Sequence, residues 1–530
     1  MVYYKLHSMD VCNADVSIDS RFSVAERTLE PAVAHWLRSS RAQSLPSFYL
    51  WESTGCNSSI VRSALRERFA SQAAEAVLPE GRAQYLIDYH LMEAIERDPR
   101  RVHDPSQAQW HFVAAAPFAS HSAGLIGLLG GPAGHRKRMD ELGRCLESIP
   151  QWKQRRQPFF LLQPWYRLHD ILGGQLSQWV LRRHTHVAPV FLGVVDRTHG
   201  RTSAVRYRTK TPSVVLPFLS IYARAIELPY VATPSLALHA QRCRADADGG
   251  GGVGGRHDPA DDELPCRAAA ARHGFMFHGD TGRWDFGTRG AVRDMAPFLR
   301  RAAPVSMRTA TMTRGAMSWH RARNLSSSSA GAMVAASVCF APQGDTMTTR
   351  RLFDALAAGC VPVVLKAIGG GRTEIVLGNL PFHHTLDWRA LALFLLPRRL
   401  RQTDRERPAW GARLRCREDE AAWLAAHHSN ASLMRTMRSA ARAAFIAHLD
   451  VQYHPSGVVE ALLRELTFVD ETPAFNWWTH PVSWLRSAPL AHLQQMNLLM
   501  PPRHVLRPGA PVLETLEDRV RRRSTSARAH

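Results

Sequence analysis

The sequence lacks the features that identify several large classes of protein. No apolar run approaches the roughly 20 residues that a membrane-spanning helix requires. Residues 1–20 do not follow the order of charged, apolar and small residues that is typical of a secretory signal peptide. No Cys-x-x-Cys pair occurs among the eight cysteines, so no zinc or thiol-redox motif is present. The glycines of residues 124–134 fit neither a dinucleotide-binding fingerprint nor a Walker loop.

Acidic residues are scarce relative to basic ones. The chain has 46 of the former and 67 of the latter, which gives a formal net charge of +21. Such a charge predicts attraction to polyanions, among them nucleic acid, anionic lipid, acidic glycans and nucleotide donors. A genome rich in G and C would produce the same excess of arginine without functional meaning. No recognition helix, zinc finger or aromatic RNA-binding motif is visible, so we expect no nucleic-acid partner.

The composition is that of a large globular protein with an interruption. The chain has 530 residues, of which 45% are hydrophobic and 21% charged, enough for two or three domains with substantial cores. Residues 246–265 are the clearest break, because a run of glycines there is flanked on both sides by aspartates. The spacing of these aspartates does not match a calcium-binding EF-hand loop. We therefore interpret this segment as a flexible insertion.

The stretch 337–365 predicts one strand–helix–strand unit. Ser337–Ala341 is a short apolar run of strand length, and Val361–Leu365 is continuously apolar, as in a buried parallel strand. Between them a helix is expected to start near Thr348 and to stop at Gly359. The apolar face of that helix consists of Leu352, Phe353, Leu356 and Ala357.

The loop before this helix carries groups that suit a phosphate. A helix N-terminus near Thr348 and Thr349 supplies a partial positive charge and hydrogen-bond donors. Arg350 or Arg351 can add a planar fork that grips two phosphate oxygens. Most loops of this kind bind nothing, so the residue pattern leaves both interpretations open.

The same stretch resembles the C-terminal signature of the exostosin family, glycosyltransferase family 47. That signature runs Ser-x-Phe-Cys, a Pro-x-Gly turn, Ser-x-Arg-Leu-Phe-Asp/Glu-Ala and Gly-Cys-Ile-Pro-Val. The resemblance is dense from residue 275 to residue 388 and patchy from about residue 48. The matching positions are Ser337, Cys339, Pro342, Gly344, Thr349, Arg351, Leu352, Phe353, Asp354, Ala355, Gly359, Cys360, Pro362 and Val363.

The resemblance implies an α/β fold of the GT-B type. In that fold two Rossmann-like lobes lie in sequence, and the C-terminal lobe binds the nucleotide-sugar donor. The expected division is an N-terminal extension (1–46), an acceptor-side lobe (47–240), the Gly/Asp-rich insertion (241–265), a donor-binding lobe (266–450) and a C-terminal extension with a basic tail (451–530).

The resemblance also implies the reaction. Family members are inverting glycosyltransferases, so we expect a sugar to move from a nucleoside diphosphate, most simply a UDP-sugar, to a glycan acceptor. Arginines and a helix N-terminus can stabilise the departing diphosphate, so no metal is required. Asp354 suits the two ribose hydroxyls; the alternative is an ion pair with Arg350 or Arg351. The expected donor-binding residues are Arg293, Gly344, Thr348, Thr349, Arg351 and Asp354.

The catalytic base is the least defined part of the expected site. An inverting transfer needs a carboxylate or imidazole to take the proton of the acceptor hydroxyl. His169 and Asp170 are the candidates, because they loosely match an Asp-His segment of the family in reversed order. The reversal leaves an alternative: a non-catalytic, basic pseudoenzyme that binds glycans or other polyanions.

The resemblance also implies the pairing of two cysteines and the cellular location of the protein. The family pairs its equivalents of Cys339 and Cys360, which implies a disulfide and an oxidising lumen; the alternative is two buried thiols. Family members are usually Golgi proteins with an N-terminal anchor. No anchor is visible here, so either the chain begins downstream of it or the protein is located elsewhere. Homo- or hetero-oligomers with related glycosyltransferases remain open.

Overall fold

The computed structural model describes most of the residues between 45 and 471. They form two compact units. The first unit contains the described residues within Trp36–Val231, Gly378–Leu386 and His454–His530; the second contains those within Ala232–Leu377 and Asp387–Tyr453. The described residues are 45–78, 81–154, 157–165, 170–173, 176, 180, 190–194, 225–247, 273–280, 288–310, 329–342, 348–365, 380–383, 385–395 and 410–471.

The first unit is built on a six-stranded parallel sheet. The strand order is β2-β1-β3-β4-β5-β6, so β1 has the next two strands of the chain on its two sides. Central strands are buried on both faces, as parallel strands covered by helices must be. The strands are β1 (Phe48–Trp51), β2 (Arg101–Val102), β3 (Trp110–Val113), β4 (Phe159–Leu162), β5 (Val190–Val194) and β6 (Ile226–Glu227).

Helices connect the strands of the first unit. A capped turn precedes β3: the Asp104 carboxylate accepts a hydrogen bond from the amide of Ser106, 2.8 Å away. The helices are α1 (Ser59–Ser71), α2 (Ala74–Val77), α3 (Ile87–Glu96), α4 (Pro117–Leu125), α5 (Gly131–Ser148) and α6 (Pro150–Gln154).

The second unit is built on a five-stranded parallel sheet. Its strand order is β11-β10-β9-β7-β8, and β7 lies between β8 and β9. Phenylalanines of β7 and β9 join the aliphatic side chains of β10 in one buried core. The strands are β7 (His273–Asp280), β8 (Val305–Ala310), β9 (Ala336–Pro342), β10 (Val361–Leu365) and β11 (Leu393–Leu395).

Helices pack on this second sheet as well. The last described helix of the chain, α13, returns to the first unit and packs against α3. The helices are α7 (Pro234–Ala247), α8 (Thr288–Leu299), α9 (Arg350–Ala358), α10 (Trp388–Leu391), α11 (Trp410–Ser429), α12 (Ala431–Ala444) and, in the first unit, α13 (Pro455–Glu471).

Helix α9 ends where the sequence predicts. Gly359 has φ +67°, the left-handed conformation that favours glycine, and its amide donates to the carbonyl of Leu356. The amide of Cys360 donates to the carbonyl of Ala355, which completes a Schellman motif. Arg438 of α12 donates to the carbonyl of Gly359 at 2.9 Å, so a cation meets the negative end of the helix.

Disulfides fix both units. Cys339 on β9 and Cys360, just before β10, are joined by a disulfide with Cα atoms 5.8 Å apart. Cys56 and Cys145, whose pairing no sequence motif indicates, form a second disulfide that ties the loop after β1 to α5. Cys243 is disulfide-bonded as well.

The α/β class with two parallel sheets is confirmed. The structure adds detail to the expected domain boundaries. The chain leaves the first unit between Val231 and Ala232, and α7 extends through Ala247 into the segment that the sequence predicts to be flexible. Residues 455–471 form α13 within the first unit, because their apolar face is covered by α3. Among the described residues, no helix is long and apolar enough to cross a membrane.

Candidate functional site

The strand order of the second unit marks a place for a ligand. After β7 the chain moves to β8 on one side, and it then returns to β9 on the other side. Ligands of open α/β sheets bind outside the carboxyl ends of the strands where the order reverses in this way. In this unit that place lies beyond the ends of β7 and β9, and the chain enters α8 and α9 there.

The N-terminal turn of α9 lies at this edge. The helix begins at Arg350, two residues later than predicted, and Thr349 occupies the N-cap position. The Thr349 hydroxyl does not cap the helix: its Oγ1 is buried and has no hydrogen-bond partner among the described residues. Thr348 is buried as well. The Arg351 guanidinium carbon lies 5.7 Å from the centroid of the Phe277 ring, so this side chain reaches from α9 to β7.

Asp354 lies one turn further along α9 and has two protein partners. Its Oδ1 accepts a hydrogen bond of 2.7 Å from the amide of Thr233, the residue before α7. Its Oδ2 lies 3.5 Å from Nε of Arg350. Arg350 in turn donates to the Thr233 hydroxyl at 2.7 Å. The carboxylate therefore caps α7 and holds the segment where the chain enters the second unit, in addition to any role with a ligand.

This geometry predicts a stability effect. Asp354→Ala is expected to lower the free energy of unfolding by about 1–2 kcal/mol, because α7 loses its cap and Arg350 its buried counter-ion. Urea unfolding of the full chain measures the change. The control is Glu418→Ala, which removes an ion pair between Glu418 and Arg301. Both side chains of that pair are at least half exposed, so its loss should lower the free energy of unfolding by less than about 0.5 kcal/mol. Equal stability of Asp354→Ala and wild type would contradict the capping role.

The structure distinguishes two arginines of α8. Arg293, which the sequence selects for donor binding, has a side chain that is 56% exposed and pairs with Asp294. Arg289 lies one turn earlier in α8, nearer in sequence to β7, and is 6% exposed. A buried cation near the start of this helix is the more suitable group for an anionic ligand. The sequence motif Arg289-Gly290-Ala291-Val292-Arg293 contains both residues, but only the fold shows which one is buried.

Other expected residues are distributed as follows. Gly344 and His169 lie outside the described residues. Asp170 is described and exposed, and its charge acts on the imidazole of His121 in the first unit. Within the described residues, no group of three or more His, Cys, Asp or Glu side chains is arranged to hold a metal ion.

An aromatic cluster lies at the carboxyl edge of the sheet in the first unit. Trp165 follows β4 and Tyr230 follows β6, and Tyr85 contacts both rings, with centroids 4.7 Å and 5.2 Å away. Phe118, at the start of α4, stacks on Trp165 at 5.6 Å. The Arg82 guanidinium carbon lies 5.2 Å from the centroid of the Trp165 ring. Residues from four separate segments thus meet where parallel strands end.

A buried carboxyl group anchors α4 beside this cluster. Oδ2 of Asp88, on α3, accepts hydrogen bonds from the amides of Phe118 and Ala119, at 2.8 Å and 3.1 Å. These are first-turn amides of α4, which the helix itself leaves unpaired. Burial raises the pKa of the Asp88 carboxyl to about 7, although the backbone hydrogen bonds oppose that shift.

The raised pKa of Asp88 predicts a pH dependence of stability. A carboxyl whose pKa is higher in the folded state stabilises the protein fully below about pH 4, and this contribution is lost as the pH rises through about 7. The melting temperature should therefore fall by a few degrees between pH 5 and pH 8. Asp88→Asn should flatten this dependence, whereas Asp140→Asn, at an exposed position on α5, should not. An unchanged slope in Asp88→Asn would contradict the assignment.

Comparison with known proteins identifies the segment that contains α9. Residues 301–406 match the model of the Exostosin GT47 domain. The matched segment includes β8 to β11 and the whole of α9, and therefore the N-cap Thr349, Arg351, Asp354 and the Cys339–Cys360 disulfide. A search of curated proteins found no match. The resemblance to the exostosin family, glycosyltransferase family 47, is thus confirmed for residues 301–406.

Proposed function

We propose that the chain is an inverting glycosyltransferase that moves a sugar from a nucleoside diphosphate, a UDP-sugar in the simplest case, to a glycan acceptor. The donor would bind in the second unit, at the carboxyl ends of β7 and β9. The family match supports a glycosyltransferase in general. The finer assignment rests on the chemistry of the side chains at that edge.

The N-terminal turn of α9 carries the proposal. A diphosphate leaving group gains one negative charge as its bond to the sugar breaks, and donors fixed beforehand around it lower the barrier. Thr349 offers a hydroxyl with no protein partner among the described residues, and Arg351 lies in the first turn of the same helix. A helix N-terminus favours anions on its own account. Together these groups match a phosphate in charge and in hydrogen bonding.

The cations at this edge make a metal ion unnecessary in the proposed reaction. Arg351 is positioned by its contact with Phe277, and Arg289 is buried in the first described turn of α8. Both arginines stay charged at any physiological pH, so they would neutralise the departing diphosphate. Arg293 and Gly344 remain further candidates for donor contacts, and Asp354 is a candidate for the ribose hydroxyls through its outer edge.

The location proposed for the protein is the Golgi, in membrane or lumen. Disulfides persist where the environment is oxidising, and Cys56, Cys145, Cys243, Cys339 and Cys360 are all disulfide-bonded. Glycan acceptors for a family of this kind would be met in the same compartment, alone or in oligomers with related glycosyltransferases.

Isothermal titration with a panel of uridine and guanosine diphosphate sugars tests the proposal. We expect one of them to bind, to bind equally well in excess EDTA, and to lose affinity in Thr349→Val. Mass spectrometry of glycan acceptors after incubation with that donor should then show the mass of one added sugar. If no nucleotide sugar binds, the proposal fails.

The +21 charge supports a second function, a non-catalytic module for acidic glycans or other polyanions. Heparin affinity measured at several salt concentrations tests it, because binding through many cations falls steeply with salt. Strong binding that Arg351→Ala leaves unchanged, together with no nucleotide-sugar binding, would favour this second function.

A further inference from the structure

Three segments of the sequence have the Asn-x-Ser pattern at which asparagine side chains are N-glycosylated. They begin at Asn57, Asn324 and Asn430, of which Asn324 lies outside the described residues. The pattern has meaning only in a chain that enters the secretory pathway. Disulfides such as Cys56–Cys145 persist in the oxidising environment of that pathway. The surroundings of the two described asparagines are therefore worth comparing.

Asn430 lies in the short turn between α11 and α12 of the second unit. All three residues of its pattern, 430–432, are exposed. The backbone of the turn is fixed, because the Asn430 amide donates to the carbonyl of His427 at 3.1 Å and the Asn430 carbonyl accepts from the amide of Met434 at 3.0 Å. A bulky, hydrophilic group attached at this position would extend into solvent.

The side-chain amide of Asn430 uses one of its two polar atoms within the protein. Oδ1 caps α12 by accepting a hydrogen bond of 3.1 Å from the amide of Leu433. Nδ2 makes no hydrogen bond to any described residue. N-glycosylation replaces a hydrogen on Nδ2 and leaves Oδ1 a carbonyl oxygen that still accepts. The cap and a glycan therefore need different atoms, so α12 would keep its cap after modification.

The side chain of Asn57, in the first unit, is held at both polar atoms. Its Oδ1 accepts from the amide of Ser59 at 2.6 Å, and its Nδ2 donates to the carbonyl of Glu52 at 3.3 Å. Both contacts lie within the loop that follows β1. A glycan on Nδ2 of Asn57 would have to share that atom with the loop contact. The geometry therefore favours Asn430 over Asn57 as the modified residue.

We propose that Asn430 carries an N-linked glycan. The co-substrate is an oligosaccharide joined to a lipid diphosphate, which the secretory pathway supplies. Nδ2 of Asn430 forms a bond to the anomeric carbon of the oligosaccharide and gives up one proton. The bond from that carbon to the phosphate oxygen breaks, and its electron pair leaves with the lipid diphosphate. This inference rests on the location given with the proposed function and needs no residue of the candidate donor site.

The experiment compares wild type, Asn430→Asp, Ser432→Ala and the control Thr436→Ala, each as the full chain produced in the secretory pathway of a eukaryotic host. Thr436 is an exposed hydroxyl residue of α12 outside the pattern. Wild type and the control should carry a glycan at residue 430, and the other two variants should lack it. Asp caps a helix as well as Asn does, so all four should melt at the same temperature once glycans are removed enzymatically.

Peptide mass spectrometry locates the glycan. Enzymatic release in heavy-oxygen water marks each formerly modified asparagine, and the same map applies to protein isolated from its own cells. An unmodified Asn430 in protein whose Cys339–Cys360 disulfide has formed would overturn the inference and leave the proposed sugar transfer standing. Free thiols at both cysteines together with an unmodified Asn430 would overturn the proposed location as well. Titration of the same preparations with nucleotide sugars tests the proposed function separately.

Discussion

Arg351→Ala is expected to lower the rate of sugar transfer about a hundredfold to a thousandfold, because the departing diphosphate loses a charge-assisted, two-pronged contact. Arg351 is the second residue of α9. A positive charge there opposes the helix dipole, so helix stability alone would favour Asp or Glu. An anionic ligand explains the arginine. Lysine should restore only part of the activity, since it offers a point charge without the planar fork.

The fold should tolerate this substitution. Arg351 contributes its contact with the Phe277 ring, and a cation–π contact at a partly exposed site is worth about 0.5–1 kcal/mol. Arg301→Ala is a matched control, because the Arg301 guanidinium carbon lies 5.3 Å from the centroid of the Phe298 ring in the same unit. Turnover and melting temperature are measured for both. Unchanged turnover in Arg351→Ala would remove Arg351 from the site, and a large fall in melting temperature would make it structural.

The parts of the fold that the sequence predicts are local. Residues 337–365 contain a strand, a helix and a strand in immediate succession, and their apolar pattern and the turn at Gly359 depend only on neighbours along the chain. The order of the strands within each parallel sheet cannot be derived from such local patterns, because it depends on pairing between distant segments. Helix α13 lies more than 350 residues from its partner α3, and no local pattern indicates that pairing.

The candidate site shows the same division. Thr349 and Arg351 are recognisable because the motif that holds them is continuous. Asp354 takes its protein partner from Thr233, 121 positions away, and sequence reasoning had no means to see that contact. Arg289 is buried and Arg293 is exposed. This difference arises from the packing of the helix and cannot be read from the motif.

In the first unit the candidate residues His169 and Asp170 were selected through a family segment. Asp170 is exposed, and its charge acts on the imidazole of His121, 49 positions earlier in the chain. A motif cannot reveal such surroundings, because they are made by segments that are distant in sequence.

The two disulfides should differ in what they contribute to stability. In the chain-entropy account, a bridge stabilises a protein by restricting the unfolded chain, and the effect grows with the length of the closed loop. Cys339 and Cys360 are 21 positions apart, which corresponds to about 3 kcal/mol. Cys56 and Cys145 are 89 positions apart, which corresponds to about 4.5 kcal/mol.

Double alanine variants measure this difference, because each variant removes one disulfide, and with it two sulfur atoms, from buried positions. Cys56→Ala with Cys145→Ala should destabilise the first unit more than Cys339→Ala with Cys360→Ala destabilises the second. Hydrogen exchange followed by mass spectrometry, on peptides from β1 to β4 and from β7 to β10, assigns each loss to its unit. If the Cys339–Cys360 disulfide proved more stabilising than the Cys56–Cys145 disulfide, loop length would not be the cause of the difference in stability. Free thiols at Cys339 and Cys360 in non-reducing peptide maps of secretory-pathway material would refute that bridge itself.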